Sequence, residues 1–176
     1  MRITTGVANM MFHKPTFSGV TEAQRLLITH WYECRTPDGL VPRDAIDPGT
    51  VRSTLACLSI VEINETGEGR FRIAGSRLRD IFGQDVRGRP VAEIAGAHGE
   101  GYALGLLSAV ERGEPVGGVM ETGGRLHAWL RLPLADDYGQ LTQIMCHDEL
   151  IAHRRALLPT GPEGQPPRAP VPRFAA

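Results

Sequence analysis

The side chains best suited to chemistry in this 176-residue chain sit together near its C-terminal third, as Cys146-His147-Asp148-Glu149. A thiol beside an imidazole suggests a nucleophile and its base. In a strand, however, neighbouring side chains point to opposite faces, so Cys146 shares a face with Asp148 while His147 faces away. Adjacent positions are therefore poor geometry for a Cys–His dyad. His147 and His153 with Glu149 would reach one metal ion only if the strand gave way to helix before His153, and the cluster reads instead as a solvated strand end. GxSxG, HExxH and P-loop patterns are all absent. No catalytic or metal-ligating residue is assigned on this basis. An α+β enzyme using His147 or Cys146 stays as an alternative.

A second group is cationic. Arg77, Arg79, Arg87 and Arg89, with backbone N–H groups near Gly83 and Gly88, are candidates to hold an anion or an acidic partner surface. The plainer reading pairs them with Asp80, Asp85 and Glu93 at the surface. The chain as a whole carries 19 Lys plus Arg against 20 Asp plus Glu, and only Lys14 is a lysine. A nucleic-acid binder concentrates a basic excess, so that class is not expected. Three scattered cysteines, Cys34, Cys57 and Cys146, show no CxxC spacing and read as reduced, mostly buried small hydrophobes. No apolar run approaches the ~18 residues that span a bilayer. With no signal-peptide pattern at the start, a cytoplasmic protein is the default expectation.

The elements that must position these side chains follow from periodicity. Residues 1–20 read as a flexible arm. Residues 21–36 read as an amphipathic helix capped by Thr21, with Leu27, Trp31 and Cys34 on one face. Asp47-Pro48 announces a short helix carrying Val51, Leu55 and Leu58 inward. Strands are expected over 58–63 and 70–74, joined by the polar loop 64–69, with Phe71 and Ile73 on one face. Ser76 is expected to cap a short helix that Gly83 ends. A Gly-rich hinge over 96–101 precedes a longer helix over 102–112. Three strands then follow at 115–122, 125–132 and 141–148. In the middle one Leu126, Ala128, Leu130 and Leu132 share a face, with His127, Trp129 and Arg131 on the other. Residues 156–176 are Pro- and Gly-rich and read as a disordered tail.

This order, and the stretch FRIAGSRLRDIFGQDVRGRP (71–90) preceded by IDPGTVRSTLACLSIVEI (46–63), resembles the stand-alone PAS-type family found mainly in alphaproteobacteria. The shared pattern is strand, Gly-Thr or Gly-Ser, short helix, Phe-Gly, Asp and Gly-Arg; Ser76, Gly83 and Gly88 fall on it. The resemblance covers roughly residues 21–155. It implies an α+β fold: a PAS-like antiparallel sheet with short helices and one longer helix on one face, plus the N-terminal helix. The PAS-like domain would then run over 37–155. It also implies a sensory or adaptor module that binds a small ligand, a protein, or both, and signals through a partner, with a homodimer expected. A purely structural dimerisation module is the other alternative.

Expected pocket residues on this reading are Phe71, Ile73, Leu78, Phe82, Leu106, Leu107, Ala128 and Leu130. The cofactor stays unknown. Flavin photosensors of this fold carry a reactive cysteine in an Asn-Cys-Arg-Phe-Leu-Gln signature, and SRLRDIFGQ here has none. A haem sensor needs an axial ligand. His98 precedes the long helix but lies among glycines, where a histidine is usually just exposed, so haem is not expected. Leu27, Trp31 and Trp129 are the interface candidates, with Trp129 expected on the outer sheet face beneath the N-terminal helix or a partner copy.

Overall fold

The structure is a computed structural model that describes residues 20–94 and 97–151, the side chains of Ala97 and His98 excepted. The elements are α1 (Glu22–Glu33), β1 (Leu58–Ile63), β2 (Gly69–Ala74), α2 (Leu78–Phe82), α3 (Ala97–Arg112), β3 (Val116–Thr122), β4 (Arg125–Ala135) and β5 (Leu141–Ile151). Short 3-10 turns occupy Arg43–Ala45, Arg52–Cys57 and Val91–Glu93. The five strands form one antiparallel sheet in the order β2-β1-β5-β4-β3. This is the expected α+β architecture. Among the described residues no helix is long and apolar enough to cross a membrane.

Both faces of the sheet are covered, and each cover has a local cause. α1 begins with a reciprocal capping box: Thr21 Oγ1 accepts from Gln24 N and Gln24 Oε1 accepts from Thr21 N. Its stripe of Leu27, Ile28 and Trp31 then packs on Leu130, Leu132 and Leu134 of β4 and Met145 of β5. Trp31 Nε1–H donates to the Pro133 carbonyl at 2.8 Å, which fixes the helix along the strand. On the opposite face Leu78, Val86, Val91, Ile94, Tyr102, Leu106 and Ala109 cover Val61, Phe71, Ile144 and Cys146.

The β4 alternation is as expected, but its two faces are exchanged. Leu130 and Leu132 lie beneath α1, whereas Trp129 packs against the cluster beneath α3. Ala128 and Leu130, expected to line a pocket under the long helix, are therefore on the α1 side, where Leu130 is fully buried. Trp129, expected beneath the N-terminal helix, is on the α3 side. The polar row could turn inward because β5 supplies a buried carboxylate, Asp148, to meet it. The interface candidates Leu27 and Trp31 are buried against their own chain's sheet.

Four further expectations change. Ile60 pairs Ile73 while Val61 pairs Phe71, so Arg72 is an extra residue and Phe71 and Ile73 fall on opposite faces. Ile73 is 49% exposed as a result. Leu107 is 48% exposed, because the buried stripe of α3 is centred on Tyr102, Leu106 and Ala109. Ser76 makes no cap, since α2 starts from Arg77 without a side-chain hydrogen bond; Gly83 does end it, at φ 68°. Asp47 closes a turn onto Gly49 N and Thr50 N, and the turn that follows is 3-10, leaving Leu55 exposed.

The long helix also starts earlier than the glycines suggested, at Ala97 rather than Tyr102. Gly99 explains part of this: a Cβ there would lie 2.1 Å from the Ile94 carbonyl oxygen. Glycine at this position permits the helix to pass close to the preceding segment, so it serves packing and does not break the helix.

Candidate functional site

The inward polar row builds a buried cluster between β4, β5 and α3. Arg131 donates to Asp148 twice, Nη2 to Oδ1 at 3.0 Å and Nη1 to Oδ2 at 3.1 Å. His127 Nε2 meets Asp148 Oδ1 at 2.9 Å. The Arg131 guanidinium also lies 3.9 Å from the Tyr102 ring centroid, and Tyr102 and Ser59 share a hydroxyl contact at 3.0 Å. Arg131, Asp148, His127, Ser59 and Tyr102 are all buried.

Burial opposes charge in this cluster, and pairing reverses that for the central pair. For Asp148, burial pushes the carboxyl up, but Arg131 and His127 outweigh it and hold it below its ordinary value. Arg131 is pulled down by burial and raised on balance by the Asp148 carboxylate. Tyr102 is pushed well above its ordinary value, first by burial. Burial likewise pushes the Cys146 thiol up to about 11. A neutral, shielded thiol is a poor nucleophile. Its neighbour His147 lies on the α1 side, opposite Leu58 and Leu130 in the ladder, and burial lowers its pKa. Cys146 and His147 therefore act on opposite sides of the sheet, mid-strand and not at a solvated strand end. His153 and the side chain of His98 lie outside the described residues. Among those described, no group of three or more His, Cys, Asp or Glu side chains is placed to hold a metal ion.

Beside the cluster a cleft of ≈ 240 Å3 opens between α3 and β3–β4, lined by Gly101, Tyr102, Leu104, Gly105, Ser108, Met120, His127, Trp129 and Arg131. Two glycines seat the Trp129 indole. A Cβ on Gly105 would lie 3.2 Å from its Cζ3, and one on Gly118 3.1 Å from its Cζ2. The indole is thus held between α3 and β3 with part of its surface left to the cleft.

The expected pocket residues divide. Phe71, Leu78 and Leu106 are buried together, with Phe82 packed on them, tilted against Phe71 and edge-on to Tyr102. Phe71, Phe82 and Leu106 line none of the clefts described here, while Leu78 borders a separate hollow with Arg79 and Arg87. The arginine candidates are mostly engaged locally: Arg79 with Asp85 at 3.6 Å, Arg89 with Glu93 at 2.8 Å and with Gln84, and Arg87 with the Ala74 carbonyl at 3.5 Å. Arg77 lines another cleft of ≈ 290 Å3 with Cys57, Asp80, Arg125, Asp148 and Glu149. His127, Arg131, Asp148, Tyr102 and Ser59 were not singled out as a site by sequence. The available signal was the His127/Trp129/Arg131 row at period two, which hydrophobic alternation alone assigns to solvent.

A polar link joins the end of α3 to the end of α1. Glu114, just beyond the C-terminal end of α3, accepts from Tyr32 Oη at 3.1 Å and pairs with Arg35 at 2.6 Å. The Arg35 guanidinium in turn lies 5.5 Å from the Trp31 ring centroid.

Residues 20–117 match the PAS domain family. That match includes α1 and ends inside β3. No curated protein matches the chain. Among solved structures, the PAS domain of the histidine kinase ThkA aligns at 18% identity and TM-score 0.42, covering 52% of this chain and 97% of that one. A domain of an HTR-like protein from Haloarcula marismortui aligns at 17% identity and TM-score 0.42, covering 54% and 98%. A light-oxygen-voltage domain aligns at 17% identity and TM-score 0.45, covering 64% and 91%.

Proposed function

Because the chain belongs to the PAS domain family, we propose that it is a non-catalytic sensory module that binds a small molecule and signals through a protein partner. The observation that carries this reading is the placement of α3. One side of the helix walls the cleft at Trp129, Met120 and Arg131, and its end is tied through Glu114 to Tyr32 and Arg35 at the end of α1. A molecule entering the cleft presses on α3, and the Glu114 link passes the displacement to α1 on the far face of the sheet. A ligand that prefers one position of α3 shifts the population of α1 arrangements by its differential affinity.

The neutral Cys146 thiol, separated from His147 by the sheet, supports a binding role over covalent chemistry. The dimerisation-module reading loses its main support, since Leu27 and Trp31 are used within the chain; a homodimer would have to form through another surface. The test is native mass spectrometry of protein taken from its own host, followed by hydrogen exchange of α1 with and without the released species. A bound small molecule that changes α1 protection is expected. Protein that carries nothing and shows no such coupling, or turnover abolished by replacing Cys146 or His147, would overturn the reading.

A further inference from the structure

The charge balance of the Arg131–Asp148 pair narrows the chemistry of the ligand. Both Asp148 oxygens are occupied, Oδ1 by Arg131 and His127 and Oδ2 by Arg131. The guanidinium charge is therefore already matched by a carboxylate. Arg131 also donates from Nη1 to the Leu130 carbonyl at 2.8 Å. Its Nε–H, on the Gly105 side, has no hydrogen-bond partner among the described residues, although the residue is only 1% exposed. A buried donor without its bond is costly, so the site favours a molecule that brings an acceptor.

A carboxylate would bring that acceptor with a second negative charge, set beside Asp148 and facing a cation already neutralised. A buried charge without its own counter-ion is strongly disfavoured. A carbonyl brings the acceptor without the charge. The rest of the wall is mostly aromatic and apolar, with Trp129, Tyr102, Met120 and Leu104 beside the polar Ser108 and the Asp148-bound His127. An apolar cavity of about 150 Å3 holds benzene; the ≈ 240 Å3 here has space for a ring with a short polar substituent. We propose that the cleft takes a neutral aromatic ligand bearing a carbonyl-type acceptor, its ring against Trp129 and Met120 and its acceptor directed to the Arg131 guanidinium. The inference rests on the sensory reading above and specifies the ligand class for the same site.

Three probes of nearly one shape separate the contributions: acetophenone, benzoate and isopropenylbenzene. The readout is the indole N–H signals of Trp129 and Trp31 in 1H–15N spectra, assigned with Trp129→Phe. Trp31, on the opposite face, serves as the internal reference. Acetophenone is expected to shift the Trp129 signal saturably and leave that of Trp31 in place. Isopropenylbenzene, lacking the acceptor, should bind several-fold more weakly, and benzoate about ten-fold or more. Gly101→Leu plugs the cleft, since among the described residues a Cβ at Gly101 meets only Met120 Cε, at 3.6 Å. It should abolish the acetophenone shift with the Trp31 signal unchanged. Benzoate binding as tightly as acetophenone, an acetophenone shift that survives Gly101→Leu, or no shift at all would overturn the proposal. An anionic species found on host-purified protein would overturn the ligand class while upholding the sensory reading. Host-purified protein that is empty, with α1 indifferent to every probe, would overturn the sensory reading itself.

Discussion

Arg131 of β4 and Asp148 of β5 lie diagonally across the two strands, joined by two hydrogen bonds of 3.0 and 3.1 Å, inside a core that excludes water from both. Removing one partner of such a pair strands the other charge, which costs about 3–5 kcal/mol. Asp148→Asn and Arg131→Gln should each destabilise strongly, and the double variant should lose much less than the sum. A double-mutant cycle by urea unfolding measures the difference. Additive losses would show that the two side chains act independently.

Trp129 and Trp31 lie on opposite faces of the sheet, and their replacements should separate cleanly. Trp31→Phe removes the bond to the Pro133 carbonyl, a buried donor and acceptor contact worth about 1 kcal/mol or more. Hydrogen exchange along α1 should accelerate. Trp129→Ser should raise exchange most in α3 and β3, whose glycines are shaped to the indole, with a smaller change in α1 that follows α3 through Glu114. Acceleration confined to α1 in Trp129→Ser, with α3 and β3 unchanged, would contradict the face assignment.

His147 supplies a pH dependence with a definite sign. Burial depresses its folded pKa below 6.5, Asp148 and Glu149 pulling it back up and Arg131 and His127 adding to the depression. As pH falls below about 6.5 the unfolded chain takes up this proton before the folded one, so stability declines until the folded pKa is passed. His147→Leu should flatten the unfolding free energy between about pH 7 and 5 relative to the parent. The contribution of Asp148, whose folded pKa is lowered, is kept above its unfolded value of about 3.9 and lost only on further acidification. An unchanged slope in His147→Leu would remove His147 as its source.

Tyr32 reports on the link between α1 and α3. Its phenol is pushed up to about 12, first by burial and then by the Glu114 carboxylate. Glu114→Gln removes the second cause and keeps the first, so phenolate absorbance should appear at lower pH but still above the ordinary value. The accompanying stability change should be small, about 1 kcal/mol or less, because the pair is partly solvated. A variant that titrates like the parent would mean that the Glu114 contact is not formed in solution.

Much of the fold is legible along the chain. The α1 stripe, its Thr21 cap, the glycine stop after α2 and the strand alternations are local periodicities read within one turn or one pleat. The Arg72 bulge escaped because Phe71-Arg72-Ile73 alternates cleanly by itself; the extra residue exists only relative to β1. The early start of α3 escaped because Gly99 lowers helix propensity locally, while its value lies in the approach to Ile94.

The candidate site depended on tertiary structure more than any element did. Period two determined that His127, Trp129 and Arg131 share a face opposite Leu130 and Leu132. It could not determine which face turns toward α3, because helices cover both sides of this sheet and alternation is symmetric under exchange of the two. Apolar preference chose the leucines. The folded chain seats the polar row there instead, because Asp148, 17 residues beyond Arg131, comes back on the neighbouring strand to accept from Arg131 and meet His127. Charge compensation of that kind is a contact between strands, and only the assembled sheet contains it.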